Sequence, residues 1–378
     1  MKSPNNRPSD GAVVLAAGGS GGHIFPAIGL VEELKRRDPS RRTVYLCGTK
    51  DIESRILREA PGDGMHSIES SPYRGAASLT DGRFLGALWN GYRTALRLLR
   101  AERPSVVVGF GGYYSFPAVL AARTLGLPTV LHEQNVAPGR ANRTLARWVD
   151  VVAVSDADSI RAFRGARRIV HTGNPIRGSI ERDCRQEALR SFGFDPARKT
   201  LLVLGGSQGA ESINTIFAQA LRILDESTRA RVQTLHLCGR MDPGESEALC
   251  RDLGVPAKAY SFFDRMDLAY AAADVALGRA GATFLSEIAE KEIPAILVPY
   301  PHGDGHQRWN AKVFAGRYGA EVVEQAELTP ERAADLLGRA LRGESEVRGR
   351  ASGEGAQARR RLADLVLEVA AGYKGKQR

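Results

Sequence analysis

At 378 residues with 43% hydrophobic side chains, the chain is long enough for two domains that each bury a core, and collagen, coiled coil and wholesale disorder are excluded. The 53 Lys and Arg exceed the 43 Asp and Glu by a formal charge of +10. Such an excess favours a polyanionic partner, whether nucleic acid, an anionic lipid surface or a phosphorylated substrate, without choosing among them.

The first ten residues are polar. Ala12 to Ala17 reads as a short buried strand, GGSGGH at 18–23 as a tight loop, and Ile28 to Arg37 as a helix with apolar positions at helical spacing. The early apolar run from Gly11 is too short for a signal-peptide core, and no stretch approaches the roughly 18 to 20 apolar residues of a membrane span. The spacing from Arg83 to Arg103 predicts an amphipathic helix. Leu85, Leu88, Trp89, Tyr92, Leu96 and Leu99 fall within about 100 degrees, flanked by Arg93, Arg97 and Arg100. This stripe is either a core face or a face that rests on an anionic bilayer.

Val106 to Val108 followed by GFGGYYS at 109–115 repeats the strand and glycine loop, and Pro128 to Leu131 leads into LHEQN at 131–135. DAD at 156–158 matches the carboxylate pair of metal-dependent sugar transferases. With 43 acidic residues in the chain, however, about five such pairs arise by chance, and Ser155 with two Asp residues opening a helix is the better reading. HTGNPIR at 171–177 and the charged ERDCRQE at 181–187 mark a domain boundary near residue 177.

The strand and glycine loop return a third time as Leu201 to Leu204 with GGSQGA at 205–210. Asp274 to Leu277 precedes GRAGATFLSE at 278–287, and PYPHGDGHQRWNA at 299–311 is a polar loop. The tail from Pro330 is helical in pattern, with Gly343 to Gly355 as a loop. Strands alternating with helices predict an α/β fold with parallel sheets. The expected domains are 11–177 and 178–355, with a C-terminal helix near 356–376 returning to the first. Cys47, Cys184, Cys238 and Cys250 form no CxxC pair and no zinc spacing, so reduced thiols of a cytosolic protein are expected.

Three glycine loops after apolar runs present backbone N–H groups and helix N-termini to a diphosphate. None is the dinucleotide fingerprint or a Walker A loop. His23 closes the first loop, where an imidazole can take a proton near neutral pH; the plain alternative is a structural or capping histidine. His132 and Glu133 add polar groups at the edge of the sheet where ligands bind in open parallel folds. In the second half Glu287 suits two ribose hydroxyls, the alternative being an N-capping Thr283 and a solvated Glu287. His306, Gln307 and Asn310 close the polar loop.

Taken together, GGSGGHIFPA, GFGGYYSFP, HEQN, GNPIR, GGSQGA, GRAGATFLSE and HQRWNA span residues 12–311 in one order and resemble the MurG family. The resemblance implies a GT-B fold, two Rossmann-like domains with parallel sheets facing a central cleft. It implies an inverting N-acetylglucosaminyltransferase that moves GlcNAc from UDP-GlcNAc to the MurNAc 4-hydroxyl of undecaprenyl-linked lipid I, forming lipid II. It implies no cofactor and no metal, and a peripheral place on the anionic cytoplasmic face of the cell membrane near other cell-wall enzymes. Donor contacts are implied for Ser20, Gly21, Gly22, Asn135, Arg177, Ser207, Phe263, Gln307 and the segment Ala282, Thr283, Phe284, Leu285, Ser286 and Glu287. His23 matches the family's candidate base, with Tyr113, Glu133 and Asn214 lining the cleft and Glu133 as the alternative proton acceptor. The chain departs from the family pattern in carrying Phe284 where Thr is common and Phe263 where an aliphatic residue is common. The rival readings are another lipid-linked sugar transferase, a UDP-GlcNAc 2-epimerase, an inactive lipid-pyrophosphate carrier, and a nucleic-acid binder. The last is disfavoured because the arginines are not interleaved with stacking aromatics.

Overall fold

The computed structural model describes residues 11–49, 51–72, 78, 80–206, 210–302, 305–344 and 353–372. The chain divides into two units, residues 1–177 with 354–378, and residues 178–353.

The first unit runs β1 (Val13–Ala16), α1 (Gly21–Arg37), β2 (Thr43–Cys47), α2 (Asp51–Arg58), β3 (Gly64–Ser67), α3 (Gly82–Glu102), β4 (Val106–Gly109), α4 (Gly112–Thr124), β5 (Thr129–Glu133), α5 (Arg140–Leu145), β6 (Val151–Val154) and β7 (Ile169–His171). The second contains α6 (Arg185–Phe192), β8 (Lys199–Leu204), α7 (Glu211–Ile223), α8 (Glu226–Arg229), β9 (Val232–Leu237), α9 (Pro243–Asp252), β10 (Ala257–Tyr260), α10 (Met266–Ala272), β11 (Val275–Gly278), α11 (Ala282–Glu290), β12 (Ala295–Leu297), α12 (His306–Tyr318), β13 (Glu321–Val322) and α13 (Pro330–Arg342). Helix α14 (Glu354–Gly372) returns to the first unit.

Both sheets are parallel, ordered β3-β2-β1-β4-β5-β6-β7 and β10-β9-β8-β11-β12-β13. Their central strands read VVLA, VVVG and VALG and are buried throughout, the pattern of strands covered by helices on both faces. In each unit the order reverses beside the first strand. The loops after β1 and β4, and after β8 and β11, therefore meet where a doubly wound sheet opens a crevice.

Two helices begin earlier than the sequence pattern predicts. The expected loop at 18–23 ends at Ser20, whose extended backbone caps α1, so His23 lies in the first helical turn. Likewise α4 starts inside GFGGYYS, at Gly112. Both helices then carry a proline, Pro26 and Pro117, five residues beyond their first glycine. A proline cannot donate to the carbonyl four residues back. In α4 that carbonyl belongs to Tyr113, and Ser70 Oγ donates to it at 2.7 Å.

The stripe on α3 divides. Ala95 and Leu99 are buried and Tyr92, Leu96 and Leu98 pack against the same core, whereas Leu85 and Trp89 are 45% and 58% exposed. The division falls at Gly91, where a Cβ would lie 2.0 Å from the carbonyl oxygen of Glu69. One helix thus supplies a core face in its C-terminal half and an exposed apolar face in its N-terminal half. All four cysteines are free and buried.

Helix α14 docks by burying Leu362, Ala363, Leu365 and Val366. Arg359 donates to the Ile176 carbonyl at 2.8 Å, and Arg37–Asp364 and Arg168–Glu368 ion pairs flank the contact. The chain passes so close that a Cβ at Gly173 would sit 2.9 Å from Ala358 Cβ. Leu362→Ala is expected to cost about 2–5 kcal/mol of first-unit stability, read from the first-unit transition in urea unfolding; an unchanged midpoint would refute the docking role.

Candidate functional site

In the first unit the loop after β1 is shaped from beneath. Glu53, fully buried on α2, accepts from Gly19 N at 2.9 Å and from Gly48 N at 2.7 Å, tying the loops after β1 and β2 to one carboxylate. A Cβ at Gly18 would lie 2.7 Å from Tyr114 and 2.9 Å from Glu53, and Gly19 has φ +90°, so glycine is required at both. Sequence reasoning missed Glu53, because in DIESRILR it looks like any solvated helix carboxylate.

Above this loop His23 Nδ1 lies 3.1 Å from the Gly18 carbonyl, with Ser20 Oγ 3.3 Å away. A carbonyl can only accept, so Nδ1 carries the hydrogen and Nε2 the basic lone pair. Gly112, at φ +70°, lets the β4 loop approach: a Cβ there would be 3.2 Å from the imidazole. Tyr113 is half-buried beside Gly19 with its ring against Tyr114, the centroids 4.3 Å apart. Gly21 leaves room for the Phe25 ring, on which the Arg177 guanidinium stacks at 4.0 Å. Ser20, Gly21, Gly22, His23, Tyr113 and Arg177 thus gather at or beside one loop pair.

Glu133 is placed differently from expectation. Its carboxylate is 1% exposed and accepts four hydrogen bonds, from Asn135 N (2.9 Å) and Nδ2 (3.0 Å), Gly139 N (3.1 Å) and Asn142 Nδ2 (2.8 Å). These bonds shape the loop that carries Asn135. His132 donates from Nε2 to the Gly173 carbonyl at 3.1 Å and accepts from Gln134 at Nδ1 at 2.9 Å. Burial pushes its pKa down to about 4. Asp156 accepts from Asp158 N at 2.9 Å, capping a short 3-10 turn. Among the described residues no group of three or more His, Cys, Asp or Glu is placed to hold a metal ion.

In the second unit Ser207 lies outside the described residues. Asn214, expected to line a cleft, is buried with both ends of its amide in use: Nδ2 donates to the Cys238 carbonyl at 2.9 Å and Oδ1 accepts from His236 Nε2 at 3.0 Å. His236 accepts from Ser246 at 2.7 Å, and burial lowers its pKa to about 4. Phe263 is half-buried in an aromatic cluster with Phe192 and Tyr260, 5.6 and 4.8 Å away between centroids. Gly281, not Thr283, caps α11. Thr283, Phe284 and Leu285 are buried, while Ala282 and Ser286 are partly exposed. The Phe284 ring faces β11, within 3.3 Å of where a Gly278 Cβ would be, so the residue at this departure from the family pattern is a core side chain. Glu287 is not a solvated helix residue: it is 3% exposed and accepts from the Tyr270 hydroxyl at 2.8 Å. His306 and Gln307 open α12, and Gln307 Oε1 accepts from Tyr300 N at 2.9 Å.

Arg279 is the second residue that sequence reasoning passed over, although it lies inside the GRAGATFLSE motif. It is 7% exposed, and among the described residues its guanidinium donates to neutral oxygens, those of Val298 (3.1 Å), Pro299 (3.2 Å), Ser212 (2.9 Å) and Gln325 (2.6 Å). It borders a pocket of about 330 Å³ shared with Gly205, Ala210 and Gln307. Burial lowers its pKa, and the same pocket is also lined by the carboxylate of Glu211.

The glycosyltransferase family 28 N-terminal domain matches residues 13–154 and the family 28 C-terminal domain residues 200–366. The chain is 38% identical, over 96% of both chains, to the UDP-N-acetylglucosamine--N-acetylmuramyl-(pentapeptide) pyrophosphoryl-undecaprenol N-acetylglucosamine transferase of Allorhizobium ampelinum. It is 36% identical, over 97% of both, to the protein of that name from Brucella abortus. Among solved structures, Acinetobacter baumannii MurG is similar with a TM-score of 0.66 at 26% identity, covering 95% of this chain and 99% of that one. UDP-GlcNAc 2-epimerase from Neisseria meningitidis gives 0.67 at 14% identity over 94% and 100%, a likeness of fold alone. The fold is GT-B.

Two measurements test this geometry. Glu53→Ala removes the acceptor from two loop N–H groups, so stability should fall by about 1–3 kcal/mol per unsatisfied group, with a loss of turnover that Glu53→Gln only partly shares. Calorimetry with steady-state rates reads both, and a fully active Glu53→Ala variant would sink the loop-shaping role. His132 and His236 have folded pKa values below the ordinary 6.5, so the unfolded chain takes up protons that the folded chain refuses. Their contribution is complete above pH 6.5 and lost as pH falls toward 4, on the order of 3 kcal/mol each. Denaturation midpoints across that window should slope accordingly, and a flat profile would contradict the assignment.

Proposed function

The chain belongs to the MurG family, and we propose that His23 is the base of the reaction it catalyses. That reaction transfers N-acetylglucosamine from UDP-N-acetylglucosamine to undecaprenyl-pyrophosphoryl-MurNAc-pentapeptide, lipid I, giving lipid II for peptidoglycan. The observation that carries the assignment is the hydrogen bond from His23 Nδ1 to the Gly18 carbonyl, because it leaves Nε2 as the basic nitrogen.

The proposed step is a single displacement with inversion. As the MurNAc 4-hydroxyl oxygen bonds to the anomeric carbon, its proton passes to His23 Nε2 and the bond from that carbon to the diphosphate breaks, releasing UDP and a β-linked product. Negative charge grows on the leaving diphosphate and is met by N–H groups at helix N-termini, by Ser207 and its loop, by Arg177 and by the field of Arg279. Glu287 and the start of α11 are assigned to the nucleoside, Phe263 to the uracil face, and Gln307 and His306 to the sugar. Asn135, set by Glu133, and Tyr113 complete the first unit's contacts. Glu133 and Asn214 are positioning residues. The proposed transfer uses no metal.

No described helix is long and apolar enough to cross a membrane. A peripheral place on the cytoplasmic face is supported by exposed Leu85 and Trp89 next to Arg93, Arg97 and Arg100 on α3, which suit an anionic bilayer and bring the enzyme to its lipid substrate and neighbouring cell-wall enzymes.

UDP release should depend on a lipid I analogue and persist in EDTA; release without acceptor would favour the epimerase or a hydrolase, and EDTA sensitivity would return the metal question. His23→Ala should lower turnover by roughly two to four orders of magnitude with UDP binding little changed, and near-normal turnover would remove His23 from the base role.

A further inference from the structure

Tyr270, on α10, is buried, and a tyrosine hydroxyl taken out of water needs a polar partner. It donates to Oε2 of Glu287 at 2.8 Å, across 17 residues of chain and from one helix to the next. Glu287 is itself buried in the second turn of α11. The last torsion of a glutamate side chain, which turns the carboxylate plane, is broad and roughly two-fold, so burial alone leaves that plane loosely set. A hydrogen bond to one of the two oxygens fixes it.

The hydroxyl is a fixed post because the helix that carries it is tied at both ends. At the start of α10, Arg265 and the buried Asp267 form an ion pair at 2.7 Å. At its end, Arg185 donates to the Ala272 carbonyl at 2.9 Å and pairs with Asp274 at 3.0 Å. The ring of Phe284 flanks Tyr270 with the centroids 6.4 Å apart. Phe284 is the residue at which the chain departs from the family pattern, so here an aromatic side chain supports the tyrosine that meets the carboxylate.

We propose that Tyr270 is a positioning residue for the nucleoside: it holds the Glu287 carboxylate so that both hydroxyls of a ribose are accepted together, and thereby selects ribonucleotides over 2′-deoxyribonucleotides. Two vicinal hydroxyls present two hydrogens a set distance apart, and a carboxylate offers acceptors on both of its oxygens. Both bonds form at once only when the carboxylate plane matches the diol. A 2′-deoxy sugar makes one bond and asks for no such match. The tyrosine's donation occupies one of the carboxylate's roughly four lone-pair sites and still leaves both oxygens able to accept. The proposal rests on the assignment of Glu287 to the nucleoside stated above.

The test is calorimetric titration of the full-length wild type, Tyr270→Phe, Glu287→Ala and the double variant with UDP and with 2′-deoxy-UDP. The wild type should prefer UDP about tenfold or more, because the deoxy sugar leaves a buried acceptor unpaired, and Glu287→Ala should bind the two nucleotides alike. Tyr270→Phe should weaken UDP binding roughly three- to tenfold and 2′-deoxy-UDP binding by less, so that the preference shrinks. In the double variant the tyrosine change should add nothing to the loss caused by Glu287→Ala. The stoichiometry of each titration counts the folded molecules, so a partly unfolded variant still yields its Kd. Equal weakening of both nucleotides by Tyr270→Phe, an unchanged preference, or an added loss in the double variant makes the tyrosine a core residue alone and overturns the proposal. A wild type that binds both nucleotides alike, or a Glu287→Ala variant that keeps the preference, overturns the assignment of Glu287 and the proposal with it.

Discussion

Two backbone N–H groups on neighbouring loops, those of Gly19 and Gly48, converge on the buried carboxylate of Glu53, and the first unit's chemistry is arranged around that convergence. A carboxylate taken out of water must find donors, and here the donors are loop amides rather than a cation. The bond to Gly19 N fixes a residue at φ +90°, the chain then enters α1 at Ser20, and the carbonyl of Gly18 receives the His23 hydrogen. Loop shape, helix start and imidazole tautomer are consecutive results of one buried charge.

The second unit meets a similar demand with the opposite sign. Arg279 holds the start of α7 through Ser212 and the loop after β12 through Val298 and Pro299, so a buried cation ties together the elements around its pocket. Among the described residues all its hydrogen-bond partners are neutral oxygens. A buried carboxylate shapes a loop in one unit, and a buried guanidinium joins loops in the other.

Strain and omission serve the same ends. Gly18, Gly48 and Gly112 exist as glycines because neighbouring atoms occupy the space of a Cβ, and each brings backbone within reach of the site. Pro117 withholds an N–H from the Tyr113 carbonyl, and Ser70 fills the vacancy, joining the start of α4 to the segment before α3. The apolar face of α3 remains exposed there because Gly91 brings the helix against the Glu69 backbone and turns only its C-terminal half into the core.

Much of this was legible in the residues alone. Continuous Val and Leu runs before glycines mark buried parallel strands and their loops, because burial on both faces and close backbone approach are demands met within a few residues of chain. His23, Ser20, Tyr113 and Arg177 could be nominated for the same reason, since each belongs to a short motif. What only the tertiary structure decided was the state of the charged and polar groups. Glu53 in DIESRILR, Glu133 in HEQN and Arg279 in GRAGATFLSE look alike to any reading of spacing, yet one shapes a loop, one is sealed by four donors, and one is buried among neutral oxygens. The free energy of a buried ion is set by atoms that reach it from distant parts of the chain, and no local pattern records which atoms those are.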